Sequence, residues 1–304
     1  MESLVYIDRL TGKKETEKVY GGAALKFIYG DDWVSTLLGT PLLHALIRNP
    51  IFSKCYGFWQ KTKLSKRKII PFIEHFGVDA SEFQEAVASY QSFNDFFIRK
   101  LKISCRPIAP GHDAAVMPAD GRYRFYPHIA NSDGFLVKGE KFDLKSLLDD
   151  RVLANRYENG SMVMARLCPT DYHRFHFPCD CIPGESRWIN GWLYSVNPIA
   201  LKKDIHIFSR NKRRVCELET SQFGKVLYVE IGATSVGSII ETYTPFKPYL
   251  KGEEKGYFSF GASSLLILFE PSRMEFDPDL LTMSKASDLE IRCLMGQSLG
   301  KASA

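Results

Sequence analysis

Between Asp171 and Cys181 the chain reads Asp-Tyr-His-Arg-Phe-His-Phe-Pro-Cys-Asp-Cys, its densest run of reactive side chains. His173 and His176 stand three apart and suit proton transfer near neutrality, because an unperturbed imidazole titrates at about pH 6.5. The same segment admits a zinc site made of His173, His176, Cys179 and Cys181, although Cys-x-Cys ahead of Ile-Pro-Gly is a poor chelating turn. Upstream, Pro118-Ala119-Asp120-Gly121-Arg122 is a turn with an acid at its tip, an ordinary turn residue unless it orients a histidine. Downstream, Lys251-Gly252-Glu253-Glu254-Lys255-Gly256 leads through Phe260-Gly261-Ala262-Ser263-Ser264 into the apolar run Leu265–Phe269. A small residue before Ser263, at the start of a buried strand, puts a hydroxyl on a tight turn against a dry wall. Such a serine can attack the carbonyl of the residue before it and turn the peptide into an ester. β-Elimination then cuts the chain and leaves dehydroalanine, which hydrolyses to an N-terminal pyruvoyl group.

The elements that must hold these residues change character near residue 100. Before it the signals are helical. Thr40-Pro41 precedes Leu42, Leu43, Leu46 and Ile47 at helical spacing, and Ser65 is the candidate cap of a helix carrying Ile69, Ile70, Ile73 and Phe76, with Gly77 as the stop. Asp79 with Glu82, and Ser92 with Asp95, have the spacing of capping boxes. After Arg106-Pro107-Ile108 the pattern becomes short β-like runs: Tyr123–Tyr126, Ser161–Leu167, Gly191–Val196, Val226–Ile231, Ser238–Thr242 and Ser264–Phe269. Their spacers are too short or too polar for a series of crossover helices, which argues against a doubly wound parallel sheet. The reading is α+β: a helical N-terminal region, 1–100, packed on a mainly antiparallel β catalytic domain, 101–304.

Composition agrees with a globular protein of one large or two modest domains: of 304 residues 45% are hydrophobic and 25% charged, which excludes disordered, collagenous and disulfide-scaffold classes. Forty Lys+Arg against 35 Asp+Glu leave a surplus of +5, too weak to argue for nucleic acid. Seven cysteines without a framework spacing point to reduced thiols. The first residues lack a secretory signal, and the most apolar stretch, 21–47, is broken by Lys26, Asp31, Asp32 and Pro41, so no bilayer span is expected. Five of the eight residues from Lys61 to Lys68 are basic (Lys61, Lys63, Lys66, Arg67, Lys68) and follow Tyr56-Gly57-Phe58-Trp59. That pairing fits either a membrane surface or a solvated helix start with its aromatics in the core.

Taken in order, these segments resemble the pyruvoyl-dependent phosphatidylserine decarboxylases. The likeness runs from about Phe93 to Phe269. It rests on Phe96-Phe97-Ile98-Arg99-Lys100-Leu101-Lys102 with Arg106-Pro107-Ile108, on Pro118–Arg122, on Val137-Lys138-Gly139 and on Asp171–Pro178. Ser195-Val196-Asn197-Pro198, Arg210-Asn211, Val236-Gly237-Ser238-Ile239 and Lys251–Ser263 complete it. The resemblance implies self-cleavage between Ala262 and Ser263, giving a large β subunit, 1–262, and a small α subunit, 263–304, that begins with a pyruvoyl group made from Ser263. It implies a charge relay of Asp120, His176 and Ser263, with His173 for the proton transfers of decarboxylation. A Schiff base between the pyruvoyl group and phosphatidylserine would then yield phosphatidylethanolamine and CO2 without metal.

It also implies a heterodimer of the two fragments, with further dimerisation, seated peripherally on an anionic membrane at the cytoplasmic face of the cell, without nucleic acid. The basic and aromatic segment at 56–68 then becomes the docking surface. The chain departs from the family's usual Gly before the cleaved Ser and Thr after it, having Ala262 and Ser264. Ala262 is small and Ser264 keeps a hydroxyl, so cleavage is expected. A chain blocked there would be a non-catalytic lipid-binding relative.

Overall fold

A computed structural model describes residues 4–30, 33–43, 48–130, 143–201, 204, 206–233, 238–261, 263–287 and 289–303. Its strands are β1 (Val5–Asp8), β2 (Lys14–Thr16), β3 (Ala114–Val116), β4 (Gly121–Tyr126), β5 (Ser161–Leu167), β6 (Arg174–His176), β7 (Ile182–Pro183) and β8 (Arg187–Ile189). There follow β9 (Arg213–Glu219), β10 (Lys225–Gly232), β11 (Ile239–Glu241), β12 (Glu254–Phe258), β13 (Ser263–Phe269), β14 (Met274–Phe276), β15 (Glu290–Cys293) and β16 (Ser298–Ala302). A ten-stranded sheet has the order β2-β1-β15-β4-β5-β13-β10-β9-β7, with β8 also on β9; two three-stranded sheets run β11-β12-β6 and β14-β16-β3. Among the described residues every pairing between these strands but β1 with β15 is antiparallel, in keeping with the α+β reading.

β13 lies between β5 and β10 with all seven residues buried. Leu265, Ile267 and Phe269 enter the core shared with Phe175, Phe177 and Phe258, whereas Leu266 and Leu268 enter a second core with Leu147, Tyr157 and Phe208 on the other face. A strand covered on both faces loses its polar alternation, which is why this segment reads as one apolar run.

The helical region forms a third, aromatic core. Ile69–Phe76 buries Ile69 and Phe72 one turn apart and stops at Gly77, whose φ of 65° places its N–H on the Ile73 carbonyl. Ser92 caps Phe93–Phe97 by accepting from Asp95 N at 3.1 Å; the return bond from Asp95 goes to Gln91 N, one residue before the position a capping box uses. Asp79 heads only a single turn, Ala80–Glu82. Ser65 is no cap: its buried hydroxyl accepts from Phe93 N and donates toward the Gln60 and Thr62 carbonyls, tying two helical segments together. Thr40 continues a helical turn from Ser35–Gly39, and 44–47 lie outside the described residues.

Two further features differ from the sequence reading. The chain start is not helical: β1 and β2 extend the large sheet, β1 running parallel to β15. Gly191–Val196 is not a strand. Only Trp192 forms a bridge, its N–H donating to the Arg210 carbonyl and its carbonyl accepting from Lys212 N, and Leu193 N donates to the Arg48 carbonyl; beyond them side chains take over, Tyr194 N donating to Asn211 Oδ1 and Ser195 N to the Tyr29 hydroxyl, while Asn211 Nδ2 donates to the Tyr194 and Gly232 carbonyls. Side chains satisfy these groups as well as a ladder does, and composition does not distinguish the two.

Candidate active site

Ser263 opens β13 opposite Gly232 of β10 and Leu167 of β5. Side chains alternate along a strand, so Ser263 shares a face with Leu265 and Ile267, the face covered by the β11-β12-β6 sheet. Ser263 and Ser264 are fully buried, and neither hydroxyl makes a hydrogen bond among the described residues. A buried hydroxyl without a partner costs about 1–3 kcal/mol, so this is a group held for something other than stability. The approach to it is clamped: Phe260 N donates to Asn94 Oδ1 at 3.0 Å, and the Phe260 ring packs against Phe93, Phe97, Tyr20 and Tyr56. Gly261 follows with φ 140°, a conformation that favours glycine. Ala262 lies outside the described residues, as do 137–139 and 236–237.

His173 is fully buried and stacks on Phe97 at 3.9 Å. Its Nε2 lies 2.9 Å from the Cys168 carbonyl, which can only accept, so Nε2 carries the proton and Nδ1, without a partner, keeps its lone pair. Burial pushes its pKa down to about 3, so the ring is neutral at physiological pH. Cys168 directly follows Leu167, the register partner of Ser263, which puts His173 at the Ser263 end of β5.

His176 ends β6 opposite Glu254. Its Nδ1 donates to the Gly252 carbonyl at 2.9 Å, and Nε2 accepts from the Tyr172 hydroxyl at 3.2 Å. Gly252 has φ 83° and packs against Ile108 so closely that a Cβ would meet its Cδ1 at 2.6 Å, so glycine is required for this carbonyl to be presented. Burial holds His176 below the ordinary histidine range, opposed by the Gly252 hydrogen bond and the charges of Glu254 and Asp120. Burial pushes the Tyr172 hydroxyl up, keeping it a donor.

Asp120 is close enough to act on His176 by charge but spends its hydrogen bonds elsewhere. Arg106 Nη2 reaches Oδ2 at 2.6 Å and Nε reaches Oδ1 at 2.9 Å, while Met295 N donates to Oδ1 at 2.8 Å. Arg106 also grips Glu82 with two bonds of 2.9 Å. The Asp–His–Ser relay is therefore not connected as a chain of hydrogen bonds: the Gly252 carbonyl, not Asp120, orients the His176 ring.

A mostly apolar cavity of about 180 Å³ reaches Phe260 and Gly261. Leu25, Ile28 and Tyr29 of the helix Gly22–Tyr29 form one wall with Val196, and Arg166, Cys168, Thr170, Ser195 and Asn197 supply polar groups. Arg166 is already held by Glu17 and Glu290 and donates to Cys168 Sγ. Burial pushes the Cys168 thiol well up, so it stays protonated.

The comparisons with known proteins decide the family. The family model for phosphatidylserine decarboxylase matches residues 93–301. The chain is 47% identical over 302 residues to the phosphatidylserine decarboxylase proenzyme of Chlamydia pneumoniae, covering 99% of this chain and 98% of that one. It is 47% identical over 302 residues to the proenzyme of Chlamydia caviae (99% of each) and 43% identical over 298 residues to that of Chlamydia trachomatis serovar D (98% and 97%). The chain belongs to the phosphatidylserine decarboxylase family.

Phosphatidylserine decarboxylases are carboxy-lyases, and this member is read as an enzyme accordingly. The zinc alternative fails on geometry. Cys179 and Cys181 lie in the apolar core, and among the described residues no three His, Cys, Asp or Glu are grouped to hold a metal. Sequence reasoning missed Tyr172, the Gly252 carbonyl, Arg106 and the clamp of Asn94 and Phe260. All but Asn94 stand within the segments that carry the family resemblance, but partner and atom are set by the tertiary fold.

Proposed function

We propose that this phosphatidylserine decarboxylase acts on phosphatidylserine at a membrane surface, using a pyruvoyl group that it makes from Ser263. The observation that carries the reading is the buried, unpartnered Ser263 hydroxyl on the sheet face that packs against the strand of His176. A residue that must become a reactive carbonyl fits there, since nothing else uses the hydroxyl.

In this reading Ser263 Oγ attacks the Ala262 carbonyl carbon as its proton passes to imidazole. The peptide C–N bond breaks, the nitrogen takes up the proton, and an ester joins Ala262 to Oγ. Loss of the Ser263 α-proton with cleavage of Cβ–Oγ leaves an Ala262 carboxylate and dehydroalanine, and water then releases ammonia and leaves the pyruvoyl group. His176 is the proposed base, because Gly252 fixes the proton on Nδ1 and leaves the lone pair on Nε2, where the Tyr172 hydroxyl gives way as the serine proton arrives. Asp120 supports the imidazolium by charge, held in place by Arg106. The pyruvoyl carbonyl supplies the electron sink for loss of CO2. His173, neutral with a bare Nδ1, is the candidate to hold and return the proton in decarboxylation.

The fragment from Ser263 stays seated, since β13 is paired on both sides and β15 and β16 pair with β4 and β3. Attachment to the bilayer is assigned to the segment from Gly22 to Ile70, as a peripheral contact on the cytoplasmic face. Trp33, Leu37, Ile51, Phe58, Leu64 and Ile70 are each more than half exposed there, beside the exposed Lys61, Lys63 and Arg67. No helix among the described residues is long and apolar enough to cross a membrane. The test is Ser263→Ala against His176→Ala: the first is expected to remain one chain and the second to cleave slowly or not at all. Fragmentation of Ser263→Ala, or normal cleavage of His176→Ala, would remove the corresponding role.

A further inference from the structure

A buried charge cluster lies beside the site and takes no part in the steps above. Lys255 of β12 and Glu230 of β10 are both fully buried, and Lys255 Nζ donates to Glu230 Oε1 at 2.5 Å and to Glu241 Oε1 of β11 at 2.9 Å. Glu241 also pairs with Arg214 of β9. The rings of Tyr243 and Tyr228 face the ammonium, with centroids at 4.7 and 5.0 Å.

Stability alone does not account for such a pair. Taking two ions out of water costs several kcal/mol each, and apolar residues of similar volume often serve a core as well or better. What an ion pair adds is direction, since it is satisfied in one relative placement of its two strands.

Those strands belong to different sheets. Glu230 stands two residues before Gly232, the register partner of Ser263, in the ten-stranded sheet. Lys255 is in the central strand of the three-stranded sheet, next to Glu254, the register partner of His176. Before cleavage the chain itself joins the end of β12 to the start of β13 through residues 259–262. Cutting between 262 and 263 removes that tie, whereas Lys255, Glu230, Glu241 and Arg214 all precede the cut and stay on one fragment.

We infer that the buried Lys255–Glu230 pair is a positioning device that keeps the sheet bearing His176 in register with the sheet bearing residue 263 once the chain has been cut. This rests on the self-cleavage reading above. The uncut chain has a short covalent link from β12 to the large sheet at this point, through 259–262, and the mature enzyme keeps only the longer one through 233–253.

The test is the full-length double variant Glu230→Leu/Lys255→Met, which removes both charges and leaves neither stranded. Cleavage, followed by intact mass, is expected to stay within about twofold of the parent. The processed protein, assayed for CO2 release from phosphatidylserine in mixed micelles, is expected to lose at least tenfold in kcat with KM within about twofold. An unchanged kcat, or cleavage slowed in proportion to kcat, overturns the inference. If the double variant does not fold, Glu230→Gln, which keeps an acceptor for Lys255, decides it: the same split at a few-fold level supports the inference, and equal effects on cleavage and turnover overturn it. A parent protein that never cleaves defeats the self-cleavage reading itself, whereas a parent that cleaves beside a variant without the split defeats only this inference.

Discussion

Asp120→Asn separates two roles for the same carboxylate. The side chains of Asp120 and Arg106 are each 6% exposed, with contacts of 2.6 to 3.1 Å. Breaking a buried pair by removing one charge costs about 3–5 kcal/mol. Here Arg106 keeps Glu82, which is one-third exposed, and Asn retains an oxygen for Met295 N, so the loss is reduced to about 2–3 kcal/mol. At roughly 2 °C per kcal/mol for a chain of this size, the melting temperature falls by about 5 °C. The measurement is thermal unfolding in a Ser263→Ala background, where every variant is one intact chain. Arg106→Gln is expected to give a similar loss, and the double variant to fall well short of the sum, with a coupling of about 2 kcal/mol. With Ser263 restored, Arg106→Gln also slows cleavage, because Asp120 then loses the group that fixes its charge near His176. Strictly additive losses, or an Asp120→Asn chain as stable as its parent, would refute the claim that this carboxylate is held by Arg106.

Two further outcomes follow from the same geometry. His173 and His176 sit below the ordinary histidine range when folded, so the unfolded chain takes up protons first as pH falls past about 6.5. Their contribution is complete above that pH and is lost on acidification. For His173 this amounts to about 1.4 kcal/mol per pH unit down toward about pH 3. Urea unfolding of Ser263→Ala at pH 7.5 and 5.5 is expected to show the loss and His173→Gln to flatten it; equal stability at both pH values in the parent contradicts it. Phe58→Ala/Leu64→Ala deletes two exposed apolar side chains beside the basic cluster. At about 1.5–3 kcal/mol for each side chain that enters lipid, sedimentation with phosphatidylserine-containing vesicles is expected to weaken by at least about tenfold. Unchanged sedimentation would exclude this face from docking.

The parts of the fold that were legible in the sequence are those set by local chemistry. β5 and β13 stand out as apolar runs, Gly77 and Ser92 mark helix ends, and the chemistry-bearing residues His173, His176 and Ser263 are visible by type and spacing. What escaped depends on distant partners. β1 joins the sheet only because β15, 284 residues on, offers it an edge. Gly191–Val196 has strand composition, yet it makes only a single bridge at Trp192, and Asn211 and Tyr29 take the Tyr194 and Ser195 N–H groups. Asp120 and His176 were paired through the family resemblance, but Arg106 and Gly252 hold them, and no spacing rule carries that information. The same holds for Tyr56 to Trp59: Phe58 projects outward while Tyr56 packs on Phe260, so one segment serves both the surface and the clamp.

Intact mass of the purified, full-length protein tests the central claim most directly. Two species are expected, one ending at Ala262 and a 42-residue partner whose first residue has the mass of a pyruvoyl group and resists N-terminal sequencing. A single uncut chain, or a small fragment that begins with an ordinary serine and a free amine, would contradict it.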